Sequence, residues 1–533
     1  MSEDWRQKAK ATLAHVPGAL EATLAVRDAL IPVPDPARPG RAFLRWLREL
    51  NAAGPLPQPQ PERRVLVFAC RYHWIRWSLA TTVVLLGRNC RVDFAFLPGI
   101  RSEGEESLLE NKEFEVYCGK YLQGRRHPRL RFVDLRRVEP APVPEALVAQ
   151  ADAQSLLDTR WVLQREEIDP QGNPEHRALF EFRRRRNLDC MARFLSQLQR
   201  DSYDLVLVPH GNLRELGAAF AAARHAGQKT VTIDFKERQE SIVFSDHEAV
   251  GRMDLSREWA AAAPHVLSAD ARHRVGQLIS TRQGVDWDGF QYKYQQAAFS
   301  GDRTRVLADL GVPPGGPLAL LCPNVAWDSA LQGRDRAFPS LIEWIRHTVR
   351  LFADRPGSRL VVRVHPAEIL AGTAEPVADV IRQCCPRLPE HIRVIGPGEA
   401  VNTYDLMDAC DFGLVYNSTA GLEMALRGLP TLVSGRPHYS EKGFTTDIED
   451  PAHYLAAIEE RLAAPQARLS ERQVELAWCY ADVFFFGWHH PFPWCLPTFW
   501  KDMSRWPIGR VLSPEGQERF GRTFDLLVNR PGS

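Results

Sequence analysis

At 533 residues the chain is longer than the roughly 250–300 residues at which a single core stops growing, so two large domains are expected. Its 44% apolar and 25% charged residues are those of an ordinary globular protein and exclude a disordered or fibrous chain. With 67 Lys and Arg against 66 Asp and Glu there is no broad electropositive field, which argues against nucleic acid as a partner.

Met1 to Lys8 is charged and has no apolar signal core, and no stretch approaches 18 consecutive apolar residues. Neither signal-directed export nor a membrane-spanning helix is expected. The 10 cysteines contain no C-x-x-C pair, and the adjacent Cys384-Cys385 suits a disulfide poorly. Reduced thiols in a cytoplasmic protein without a zinc site follow.

Residues 1–60 read as a helical extension jointed by prolines, from Pro32 to Pro39 and again from Pro55 to Pro61. The strand-like Arg64–Ala69 then opens a first α/β domain, 61–300. Its further strands are read at Val92–Leu97, Leu130–Leu135, Leu205–Pro209 and Thr230–Phe235, with a helix over Leu213–Ala226. A helix over Glu175–Gln199 carries the run Arg183 to Arg186, read as a solvated face. A polar stretch near 281–304 separates this domain from a second, 301–470. That domain is built from Pro317–Cys322, a helix over Leu341–Phe352, Arg359–His365, His391–Ile395, Asp411–Tyr416 and Thr431–Val433. The tail, 471–533, has a helix over Glu471–Val483 and then Phe484–Trp488, aromatic enough to need a surface, with the first domain as the economical choice. No internal repeat is visible.

Three segments of the second domain carry chemistry at strand ends, where open α/β sheets bind ligands. In Asp411–Pro430 a strand runs into Asn417-Ser418-Thr419 and a short helix, so hydroxyls and free N–H groups face outward and suit an anion. Glu423 falls one turn further on, on the side of Thr419, where a carboxylate suits ribose hydroxyls. In Arg359–Pro366 alternation puts Arg363 and His365 on one face, a fixed cation beside a titratable ring. Cys322–Asp328, with Asn324, follows the first strand of that domain. Each segment taken alone is also explained by a helix cap, a turn histidine or a packed tryptophan.

Asn324 to Asp328, Arg363 to Pro366 and Ser418 to Glu423, in that order, resemble bacterial capsule polysaccharide biosynthesis glycosyltransferases, as does Tyr439 to Thr445. The His-Pro and Ser/Thr elements are also similar to those of polysialyltransferases and teichoic-acid glycerophosphotransferases. The resemblance is strong over about 150 residues and weak in the N-terminal half. It implies an α/β, GT-B-like fold, two Rossmann-like domains facing a cleft, with the N-terminal helical extension and a C-terminal helix returning to the first domain. It further implies a nucleotide-sugar donor, cytidylyl-activated, and a glycan or surface-polysaccharide acceptor. His365 would contact the donor phosphate, with Asn324, Arg363, Asn417, Ser418, Thr419 and Gly421 around it and Glu423 on the ribose.

The catalytic base is sought in the first domain, where His210, Asp234 and Glu237 sit at strand ends; Arg71 to Trp74 are candidate acceptor contacts. The scheme needs no metal and no cofactor beyond the donor. The expected location is the cytoplasm, with peripheral contact to membrane-bound assembly machinery allowed. The rival readings are phosphoglycerol transfer, a non-catalytic scaffold in polysaccharide assembly and a nucleotide-sugar epimerase.

Overall fold

A computed structural model describes residues 39–54, 61–70, 72–97, 127–236, 238–262, 266–284, 297–311, 313–331 and 333–529, with residues 19, 22, 122 and 295. Glu237, Arg71 and most of the N-terminal extension lie outside the described residues.

The first sheet contains β1 (Arg63–Ala69), β2 (Cys90–Phe96), β3 (Leu130–Asp134), β4 (Leu205–Pro209), β5 (Thr230–Asp234) and β6 (Ser241–Ser245). The second contains β7 (Leu318–Cys322), β8 (Arg359–Arg363), β9 (Ile392–Ile395), β10 (Phe412–Val415), β11 (Thr431–Val433) and β12 (Thr446–Asp447). A last short strand, β13 (His490–Pro491), pairs antiparallel with β6. The strand orders are β13-β6-β5-β4-β1-β2-β3 and β12-β11-β10-β7-β8-β9. Apart from β6 and β13 every pairing is parallel. Strands such as β4 and β7 are buried along their whole length, as helix-covered parallel strands must be.

Read outward from its first strand, each unit has the doubly wound order 3-2-1-4-5-6, so the fold consists of two Rossmann-like units. In each, the order reverses between the first and fourth strands, β1 and β4 in one, β7 and β10 in the other. Loops leaving those strand ends diverge to opposite sides of the sheet and leave a crevice, which is where such sheets take ligands.

The tail divides its aromatic side chains. Helix Glu471–Asp482 runs into a π-helical turn, Val483–Gly487, and Phe484, Phe485 and Trp488 enter a core shared by Val243, Val250 and Leu255 of the first unit with Tyr439 and Leu422 of the second. Phe492, Trp494 and Phe524 instead fill the first unit's core beside Trp77, whose Nε1 donates to the Trp494 carbonyl at 3.1 Å. Among the described residues no helix is long and apolar enough to cross a membrane.

The Arg183–Arg186 run departs from its expected solvated face. Arg183 is fully buried between Asp158 (3.4 Å) and Glu215 (3.1 Å), and Arg186 also reaches Glu215. The cause is tertiary: helices Glu145–Leu163 and Arg214–His225 both pack on helix Pro174–Arg200 and bring their acids to it.

Candidate functional site

The loop after β7 and the loop after β10 meet at the switch point of the second sheet. Asn324 Oδ1 accepts the Asn417 backbone N–H at 3.0 Å. The Asn417 side chain is buried, and neither its Nδ2 nor its Oδ1 has a hydrogen-bond partner among the described residues. Ser418 Oγ accepts the Ala420 N–H at 3.3 Å, and the Ser418 carbonyl accepts the Tyr439 hydroxyl. That hydroxyl explains Gly421, since a Cβ there would stand 2.1 Å from it.

Thr419 takes the N-cap position of helix Ala420–Leu426 but makes no side-chain cap bond. Its own backbone is already helical, at φ −58° and ψ −20°, whereas a capping side chain folds back from an extended residue. Of the three residues expected to cap, Ser418 alone reaches a free N–H.

Glu423 is held by a side chain that sequence reasoning missed. Its Oε1 accepts Arg282 Nε at 2.8 Å and Nη2 at 2.7 Å, and both residues are buried. Arg282 lies 141 residues earlier, on helix Ala269–Gln283, with no local pattern to announce it. The ion pair pins that helix to the helix following Thr419.

Arg363 ends β8 in phase with Val361, which places it toward the core cluster that holds Leu422 and Cys322. It is 2% exposed. Nη1 donates to the Gly396 carbonyl at 2.6 Å, while Nε and Nη2 have no hydrogen-bond partner and no carboxylate among the described residues. Burial lowers its pKa, with Cys322 and Glu399 opposing. Beside it, His365 Nδ1 accepts the Ala367 N–H at 3.1 Å, so the neutral ring carries its proton on Nε2. Burial, joined by Arg363 and opposed by Asp328, pushes this imidazole down to about 4 and keeps it neutral at pH 7.

At the switch point of the first sheet, His210 has φ +59° and Gly211 φ +74°, two left-handed residues in succession at the tip of β4. Such backbone is costly in a non-glycine residue and is kept here by the surrounding packing. A Cβ at Gly211 would stand 2.4 Å from Thr232 Cγ2. His210 Nδ1 is 3.4 Å from Asp234 Oδ2, and Lys236 Nζ is 3.0 Å from the same oxygen. Burial alone would raise the Asp234 carboxyl; Lys236 and His210 outweigh it and hold the group well below the usual carboxylate range. His73 is exposed, but Trp74 is buried and stacks on Phe235 at 5.8 Å, a core residue where an acceptor contact was expected.

The two sets of tips are tied together. Asn212 Nδ2 donates to the Ser329 carbonyl at 3.2 Å. Arg214 lies 4.5 Å over Trp161, which meets Trp327 edge to face at 6.2 Å. Glu166, between two helices of the first unit, accepts Leu341 N–H at 2.9 Å and Ile342 N–H at 2.8 Å at the start of helix Leu341–Ala353. The structure thus gathers Asn324, Arg363, His365, Asn417, Ser418, Thr419 and Gly421 at one set of strand ends, and His210 and Asp234 at another that bonds to it. A cavity of about 800 Å³ at the β3 edge, lined by Phe132 and Arg131, contains none of them. Among the described residues no group of three or more His, Cys, Asp or Glu is placed to hold a metal ion.

Two Rossmann-like units with facing strand tips define the class of protein. Residues 254–473 match the family model described as capsule polysaccharide biosynthesis protein, so over that stretch the resemblance seen in the motifs holds. The chain is similar to KpsC, beta Kdo 2,7 transferase, of Thermosulfurimonas dismutans, at 15% identity and TM-score 0.32 over 54% of this chain and 79% of that one. It is also similar to the UDP-GlcNAc 2-epimerase of Neisseria meningitidis, at 13% identity and TM-score 0.23 over 80% and 99% of the two chains. A third likeness is to sucrose-phosphate synthase of Thermosynechococcus elongatus, at 11% identity and TM-score 0.27 over 83% and 98%. No curated protein matches in sequence.

Proposed function

We propose that the chain transfers a sugar from a nucleotide-activated donor to a glycan acceptor in capsule polysaccharide assembly, holding the donor phosphate at the tips of β7, β8 and β10. One observation carries this reading: among the described residues Arg363 is a buried cation without a carboxylate in ion-pair range, and Asn417, on the other side of β7, is a buried amide without a side-chain partner. Leaving a buried polar group unpaired costs about 1–3 kcal/mol, more for a charge, and a ligand anion recovers that cost on binding. His365 adds a neutral Nε2–H donor, and the Arg282–Glu423 pair fixes the helix that begins beside Ser418.

On the other side of the seam His210 is the proposed general base and Asp234, too acidic to take the proton itself, its orienting partner. The acceptor hydroxyl gives its proton to His210 as its oxygen bonds to the anomeric carbon. The bond from that carbon to the donor phosphate oxygen breaks, and Arg363 and His365 meet the charge that leaves with the nucleotide. The scheme routes no step through a metal or further cofactor.

The test is a thermal-shift panel of CMP, CDP, UDP and GDP on the wild type, Arg363→Met and His365→Ala. A cytidine nucleotide should stabilise the wild type and neither variant. A wild type indifferent to all four, or variants that respond as it does, would sink the proposal.

A further inference from the structure

The segment after β11 places a second histidine at the seam, one that no motif singled out. His438 is 7% exposed, its ring stacked on Phe484 at 4.1 Å and near-parallel to Tyr480 at 5.7 Å. The Tyr480 hydroxyl lies 2.6 Å from the His438 carbonyl and 3.1 Å from its Nδ1. A phenol has one proton, and two oxygens at 2.6 Å need it between them, so Tyr480 donates to the carbonyl. Its oxygen must then accept from Nδ1, which fixes the tautomer with the proton on Nδ1 and leaves Nε2 a bare lone pair.

Protonating Nε2 would turn it into a donor, but the surroundings oppose this. Burial first, then the charges of Arg334, Lys442 and Lys236, hold the ring well below its ordinary pKa. Those charges come from both units, Lys236 from the first and Arg334 and Lys442 from the second. Nε2 is therefore an acceptor, buried, with no hydrogen-bond partner among the described residues. Lys236 is not that partner, because its ammonium sits 3.0 Å from Asp234; Arg334 Nη1 is committed to the Arg436 carbonyl at 3.0 Å.

We infer that His438 is a specificity-determining residue whose Nε2 accepts a hydrogen bond from a hydroxyl of the transferred sugar. The inference rests on the donor-site reading above. It adds that the sugar is recognised from the second unit, next to Tyr439, whose hydroxyl already shapes the Gly421 turn. A bare acceptor discriminates strongly, since a sugar lacking the matching hydroxyl leaves it unpaired.

His438→Phe keeps the stack and deletes Nε2 together with the Nδ1 bond to Tyr480, whose hydroxyl keeps its bond to the residue 438 carbonyl, and His438→Gln restores an acceptor oxygen near the place of Nε2. The probes are CMP, UDP and GDP against CMP-N-acetylneuraminate, UDP-N-acetylglucosamine and GDP-mannose, with binding read by thermal shift and titration. In the wild type one sugar-linked form binds more tightly than its bare nucleotide. In His438→Phe that advantage falls about tenfold, while the unfolding midpoint stays within about 3 °C of wild type and bare-nucleotide binding is unchanged; His438→Gln recovers it. A His438→Phe protein that keeps the advantage overturns the inference and leaves the nucleotide site standing. So does a wild type that binds a nucleotide and gains nothing from any of the three sugars, or a glutamine variant no better than phenylalanine. A wild type that binds no nucleotide overturns both readings.

Discussion

Arg183, among the helices of the first unit, has no exposed surface and lies within 3.4 Å of Asp158 and 3.1 Å of Glu215. Arg363, at the tip of β8, is almost as deeply buried at 2% exposure, yet among the described residues it donates only to the Gly396 carbonyl. Residue type and burial match; the surroundings do not. Two guanidinium nitrogens lack a hydrogen bond in each, but Arg183 faces two carboxylates and Arg363 none among the described residues. A buried charge opposed by carboxylates belongs to the scaffold, because removing one partner leaves the other uncompensated. A buried charge that is left short belongs to whatever is meant to arrive, because keeping it short costs stability with no structural return. Burial alone therefore says nothing about function; the presence or absence of an opposite charge does.

Substitution can break or sharpen that contrast. Glu215→Ala leaves two arginines, Arg183 and Arg186, short of a carboxylate, with Asp158 alone facing Arg183, and should cost about 3–5 kcal/mol in urea unfolding; a loss below about 1 kcal/mol would erase the distinction from its structural side. Arg363→Met strands no charge, and the Gly396 carbonyl keeps the Glu399 N–H, so stability should stay within about 1 kcal/mol of wild type, while nucleotide affinity falls by about 1.5–3 kcal/mol, read by titration.

Glu166 is an intermediate case, buried and held by two N–H groups, with no ion pair among the described residues and only the more distant charge of Arg160 to favour its ionised form. Burial outweighs those bonds and pushes its carboxyl up to about 7 from an ordinary 4.5. Between these values the unfolded chain gives up its proton before the folded one does, so stability falls as pH rises from about 4.5 to about 7. Glu166→Gln should flatten that fall by about 1–3 kcal/mol in denaturant midpoints measured across the range; an unchanged slope would show that the two N–H bonds keep the group ionised. Smallest of all, Asn212→Ala removes one bond between the units and should cost under about 1.5 kcal/mol of unfolding free energy. A larger loss would mean that the loop after β4 is itself a keystone.

Much of this was legible without coordinates. Continuous apolar runs such as Leu205–Pro209 and Pro317–Cys322, alternating with helices, announce parallel sheets, because a strand buried on both faces has no polar side to show. The motifs at the ends of those runs were visible for a related reason: a strand tip at a switch point carries its polar residues as a short local word, such as Arg363-Val364-His365-Pro366. The antiparallel β6 and the two-residue β13 left little local trace, since the neighbours that make them strands come from elsewhere in the chain.

Composition, alternation and the motif order by themselves determined the two-unit α/β fold and which strand ends carry the polar words. Only the tertiary structure decided that Glu423 goes to Arg282, that Arg183 is buried with its acids, that Thr419 does not cap and that His438 has its proton on Nδ1. Each depends on a partner between 25 and 141 residues away, or on a backbone angle set by packing. Local sequence limits which bonds a side chain can form, and long-range packing chooses the partner.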